Sequence, residues 1–108
     1  MKLSELLPHE LVEKFPKLGE TAEHENPIVQ AKFFYPDFSW TWYAIEFDED
    51  DVFYGFVDGD FGEYGWFRLS ELIYTRGNLG CEIERDLSFT PLPIEEVLKK
   101  YPRRSKVH

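Results

Sequence analysis

Leu3, Leu6, Leu7, Leu11, Val12 and Phe15 recur at the three-and-four spacing of a single helix face. Pro8 falls in the first turn of the main helix, where a missing N–H costs nothing, and Pro16 and Gly19 end it. Residues 19–27 are polar and aperiodic, which predicts a surface loop. Four apolar runs follow, over 28–35, 40–47, 52–58 and 63–69. Pro36-Asp37, the acidic tetrad 48–51 and Asp58-Gly59-Asp60 separate them. Such short separations favour antiparallel hairpins in a meander, because parallel pairing needs long crossovers. Ser70 is placed to cap a short helix through Glu71, Leu72 and Tyr74, ended by Gly77. Residues 81–89 alternate as a fifth strand, and 93–101 read as a helix with acids at 95 and 96 and lysines at 99 and 100. The predicted class is α+β: an antiparallel meander of four to five strands flanked by an N-terminal and a C-terminal helix. Residues 1–101 form the single domain, and 102–108 a flexible basic tail.

Strict alternation divides each strand between two faces. One carries Val29, Ala31, Phe33, Tyr35, Tyr43, Ile45, Phe47, Phe53, Val57 and Phe67 and is nearly pure core. The other carries Trp40, Trp42, Tyr54 and Trp66, with Lys32, Glu46 and Arg68 among the rings. Either this second face is also core, its charged residues paired with one another at the edge, or it is a partly open platform for a partner. Trp, Tyr and Arg anchor many interfaces, and contiguous exposed apolar patches mark interaction sites.

Charge sharpens the second alternative. Residues 33–67 hold fifteen of the nineteen aromatic side chains and nine carboxylates, with no lysine or arginine. The net charge of −9 repels nucleic-acid phosphate, so no direct nucleic-acid binding is expected, and it attracts basic protein surfaces. Asp48, Glu49, Asp50, Asp51, Asp58 and Asp60 concentrate the negative field at two turns. The single cysteine, Cys81, excludes an internal disulfide and suits a reducing cytoplasm, and neither a secretory signal nor a membrane-length apolar run is present.

Catalytic and metal chemistry find little footing. A glycosidase needs two carboxylates across a sugar-sized cleft, for which 108 residues leave little room. Asp58-Gly59-Asp60-Phe61-Gly62-Glu63 lacks the ligand spacing and flanking helices of an EF-hand. His9, His24 and His108 are far apart and have no zinc spacing, and no glycine falls in a phosphate loop. Neither a cofactor nor a metal is implied. Glu84, Arg85 and Asp86 form a structural polar cluster, with Arg85 bridging carboxylates. The tail bases Lys99, Lys100, Arg103, Arg104 and Lys106 can pair with the acidic face of a second copy in a weak homodimer.

Certain strings are more specific. Lys32-Phe33-Phe34 with Pro36, Trp40-Thr41-Trp42-Tyr43, Glu46-Phe47-Asp48, Leu69-Ser70-Glu71-Leu72, Arg76-Gly77 and Glu84-Arg85-Asp86 fall in one order, with Gly55, Gly65, Gly80, Phe89 and Pro91. That order resembles the bacterial domain of unknown function 2958 family. The resemblance implies a role in maintenance or defence of plasmids and other mobile elements, and no catalytic residues to carry over. Cys81 and the acid-rich tetrad depart from the pattern. The expectation is a non-enzymatic acidic interaction protein, a mobile-element accessory or anti-defence factor binding a basic protein, including as a DNA mimic. The alternative is a small-ligand or carbohydrate module using the Trp/Tyr face.

Overall fold

Proline and a one-residue bulge decide how this chain departs from its simple hydrophobic pattern. The structure, a computed structural model, describes residues 1–103. The N-terminal segment forms two short helices, α1 (Leu3–Leu6) and α2 (His9–Val12), in place of one. Pro8 is the residue before α2, in extended conformation, so the chain turns there instead of continuing. The strands are β1 (Ile28–Val29), β2 (Ala31–Phe34), β3 (Thr41–Phe47), β4 (Val52–Asp58) and β5 (Gly62–Arg68). Helix α3 (Leu69–Tyr74), β6 (Glu84–Arg85), β7 (Leu92–Pro93) and α4 (Ile94–Lys100) complete the chain.

The main sheet has the antiparallel order β5-β4-β3-β2-β6, so the fold is α+β, as the spacing of the apolar runs predicts. Two expectations need correction. The run 28–35 divides at Gln30, and β1 leaves the main sheet to pair with β7. The fifth strand of the sheet is only two residues long, and from it Arg85 turns its guanidinium onto the carbonyls of Leu6 (3.0 Å) and Glu5 (2.9 Å) at the end of α1. Arg85 therefore caps a helix and does not bridge carboxylates.

The face assignment changes most. Between β3 and β4 the pairing runs Thr41↔Asp58, Trp42↔Val57, Tyr43↔Phe56 and Ala44↔Gly55, then resumes at Glu46↔Tyr54 and Phe47↔Phe53. Ile45 is the extra residue of a β-bulge, and the alternation changes phase there. Trp42 and Ala44 thus join Phe33, Phe47, Phe53 and Phe67 in one core, covered by Leu6, Phe15, Leu69 and Leu72 from the N-terminal segment and α3. Tyr43 and Ile45 join Phe56 in a second core on the opposite side, covered by Val29 and by Ile94 and Val97 of α4. Each end of the chain covers one face of the sheet. Trp40 and Trp42 therefore do not share a face with Tyr54 and Trp66.

Candidate functional site

The cover on the second face is incomplete. Helix α4 seals the half around Tyr43 and Phe56, and beyond it the rings of β4 and β5 face outward. Trp66 is 70% exposed and Tyr64 50%, with Tyr54 half-buried between them. Tyr54 lies 5.2 Å from Trp66 and 6.3 Å from Tyr64 between ring centroids, the two tyrosines nearly parallel at 14°. They form one wall of a cleft of about 440 Å³. The 19–27 segment supplies the opposite wall, with Thr21, His24 and Glu25, and Glu46 lies at its base.

Glu46 explains why that segment stands where it does. Its side chain is buried, and its two oxygens accept hydrogen bonds from Gly19 N (2.8 Å), Thr21 N (2.9 Å) and the Thr21 hydroxyl. A carboxylate so placed fixes a loop that has few apolar contacts of its own, since charge-assisted bonds are the strong ones. Phe47 N donates to Pro16 O, fixing the start of the same segment. Lys32, Glu46 and Arg68 are not paired with one another. Lys32 meets Asp86 at 3.4 Å and lies over the Tyr101 ring, and Arg68 reaches Asp51 and Glu71.

A second hollow, of about 310 Å³, opens on the other side of the sheet. Trp40, Trp42, Tyr35 and Phe38 line it together with Arg68 and Arg76. Six residues expected on one platform are thus shared between two sites: Tyr54, Trp66 and Glu46 in the cleft, Trp40, Trp42 and Arg68 in the hollow. Tyr64, His24 and Glu25 were absent from the expected binding residues. Tyr64 was legible as a neighbour of Trp66 on one strand face, whereas residues 19–27 are brought alongside by long-range contacts, those of Glu46 at one end and of Ile94 N and Glu95 N with Pro27 O and Asn26 Oδ1 at the other.

The acidic turns are less available than their composition suggests. Asp48 Oδ1 accepts from Asp50 N, Asp51 N and Val52 N, at 2.8, 2.8 and 3.0 Å, and closes the β3–β4 turn, where Glu49 adopts a positive φ of 66°. Asp51 accepts from both Ser70 N and its hydroxyl at 2.7 Å, holding the first turn of α3. Ser70 is therefore a donor inside the helix and not its cap. Asp58 is buried and receives Arg103 Nε at 2.7 Å, so the chain stays bound to the sheet beyond residue 101. Residues 104–108 lie outside the described part. Asp60 receives the Trp40 indole at 3.4 Å, and Glu49 and Asp50 face solvent.

These contacts predict a fold that loses stability in acid. Partial desolvation pushes the Asp48 carboxyl upward, but its three backbone donors outweigh this and hold it below the ordinary 3.8. The Ser70 hydroxyl and amide hold Asp51 below the same value. A depressed carboxyl contributes stability that is complete above its unfolded value and lost as pH falls through the folded one. The urea midpoint is expected to fall as pH drops below about 4, and Asp51→Asn to flatten that fall. A midpoint indifferent to pH below 4 in the unsubstituted protein contradicts this assignment.

Nucleophilic chemistry at Cys81 is disfavoured, because burial first and the neighbouring Asp37 second push its thiol up, opposite to what a reactive thiolate needs. Among the described residues no three His, Cys, Asp or Glu side chains are grouped to hold a metal ion, and no helix is long and apolar enough to cross a membrane. No curated protein and no solved structure matches the chain. The family described as "Protein of unknown function (DUF2958)" matches it over residues 3–105, nearly its whole length, and the chain belongs to that family.

Proposed function

We propose that this is a non-enzymatic binding protein of the cytoplasm that engages a basic protein surface through the Tyr54–Tyr64–Trp66 cleft and the acids around it, in an accessory or anti-defence role for a mobile element. The observation that carries the reading is the exposure of Trp66 and Tyr64, side by side on a strand at the edge of the sheet. Large rings left open beside a formed cleft are the composition of interface anchors. Mimicry of nucleic acid has less support than direct ring-centred contact, since Asp48, Asp51 and Asp58 are turned onto partners within the chain.

The test is capture of partners from a lysate of the host at low and high salt, with Trp66→Ala beside the unsubstituted protein. A basic partner held at low salt, released at high salt and lost in Trp66→Ala is the expected result. Failure to retain any basic protein at low salt rejects the reading. A small neutral ligand is the second reading, favoured by a cleft volume within the range of small-molecule sites. It predicts a thermal shift with a sugar or nucleoside that is insensitive to salt and disappears in Trp66→Ala.

A further inference from the structure

We propose that the cleft is selective for cations and receives an arginine side chain from an extended segment of the basic partner; this rests on the reading above and names the group recognised. The first ground is the chemistry of the walls. Tyr54, Tyr64 and Trp66 line the cleft as neighbouring rings, and aromatic faces carry the negative end of the ring quadrupole. Among the described residues no lysine or arginine lines the cleft, and His24 is the one nitrogen base there. The hollow on the other side, also aromatic, holds Arg68 and Arg76. Both sites are aromatic, and they differ in the net sign of the charged side chains that line them.

Glu46 is the second and independent ground. The residue is only 2% exposed where it lines the cleft, and a buried anion is costly unless compensated. Its compensation comes from two backbone N–H groups and one hydroxyl, and among the described residues no base pairs with it. Lys32 and Arg68, the bases that flank it in sequence, are committed to Asp86, Asp51 and Glu71. A negative charge with dipolar support and no counter-ion makes the adjoining space favourable for a cation. Glu25 on the rim adds a second, solvent-facing carboxylate, and Glu95 contributes to raising the Tyr64 hydroxyl, after the larger effect of burial.

Arginine fits this space better than a compact ammonium. Its planar guanidinium stacks on Trp and Tyr faces, is weakly hydrated, and still presents donors at its edge for a carboxylate such as Glu25. A volume of about 440 Å³ exceeds a single side chain, which leaves room for the backbone on either side of the arginine. The occupant is thus a stretch of chain, delivered by a partner whose positive charge complements the −9 of this protein.

Calorimetric titration of the protein with a short glycine–serine peptide carrying arginines, against the same peptide carrying citrulline, tests the inference. Citrulline keeps the shape and removes the charge. The arginine peptide is expected to bind at low salt, with loss of about tenfold in affinity for citrulline and a similar loss in Trp66→Ala, the scale of one desolvated cation–ring contact. Trp66 is an exposed residue, and a matched thermal midpoint confirms that the variant is folded. Equal binding of both peptides, or arginine binding untouched by Trp66→Ala, overturns the cation-selective cleft while leaving a basic partner in place elsewhere on the surface. A neutral sugar that binds in preference to the arginine peptide overturns it as well. Absence of any arginine-peptide binding at low salt overturns this inference, and the interaction reading then stands or falls separately on whether a basic protein is retained from lysate at low salt.

Discussion

Gly55→Ala is expected to destabilise the protein by more than about 4 kcal/mol, a loss of the exceptional class that follows from steric conflict within a core. Gly55 sits opposite Ala44 on the central pair of strands, next to the register shift between β3 and β4. A Cβ built there meets the Tyr43 carbonyl oxygen at 1.9 Å and the Ala44 Cα at 3.1 Å. Both are backbone atoms of a central strand, so no rotamer change relieves the contact. Relief requires the two strands to separate, which breaks the ladder on which both cores are built. Total stability for a domain of this length is roughly 5–15 kcal/mol, so most or all of it is removed. Urea denaturation followed by circular dichroism measures the effect. A loss below about 1 kcal/mol would show that the sheet accommodates the methyl group, and the close approach would then have no energetic meaning.

The same bulge marks where the sequence stopped being readable. The runs 40–47, 52–58 and 63–69 locate β3, β4 and β5 within a residue or two, because apolar runs bounded by turn residues leave few alternatives. Helix α4 was equally plain, with Pro93 ahead of it, acids in its first turn and lysines in its last. Nothing in Ala44-Ile45-Glu46 signals an extra residue, since both apolar members are buried, one in each core. A change of phase by one residue exchanges the faces of every side chain before it. Trp40 and Trp42 crossed to the other side for that reason. Gly55 was the available clue, because glycine inside a strand often marks a bulge or a close backbone approach.

Contacts between distant residues were the other blind spot. Glu46 looked like a charge among rings, and its role depends on Gly19 and Thr21, more than twenty positions earlier. Asp51 belonged by sequence to a solvated tetrad, yet it serves the first turn of α3. Arg85 serves α1 from the far end of the chain. Local pattern predicts elements because local sterics create them. A polar side chain that joins two elements leaves no periodic trace, so the cleft, whose wall hangs on Glu46, could not be assembled from the sequence.

The fifteen aromatic residues of the base-free stretch also differ widely in what they contribute, and Phe53→Ala should expose the difference. Phe53 is fully buried and touches four rings: Phe47 at 4.2 Å, Phe67 at 5.2 Å, Phe33 at 5.5 Å and Phe15 at 5.7 Å. It joins three strands and the segment after α2, so the space vacated by its ring cannot close without moving several elements. Truncation is expected to cost about 3–5 kcal/mol, from lost transfer energy and the cavity together. Trp66→Ala, in the strand paired with it, removes a larger ring that is mostly in water and should change stability by less than about 0.5 kcal/mol. Parallel urea curves for the two variants decide the matter. If Trp66→Ala destabilises as much as Phe53→Ala, the outer rings are part of the core, and a cleft held open for a partner loses its basis. If the costs separate as expected, Trp66 adds little to the stability of the monomer, and its ring is free to serve a surface, as the binding reading requires.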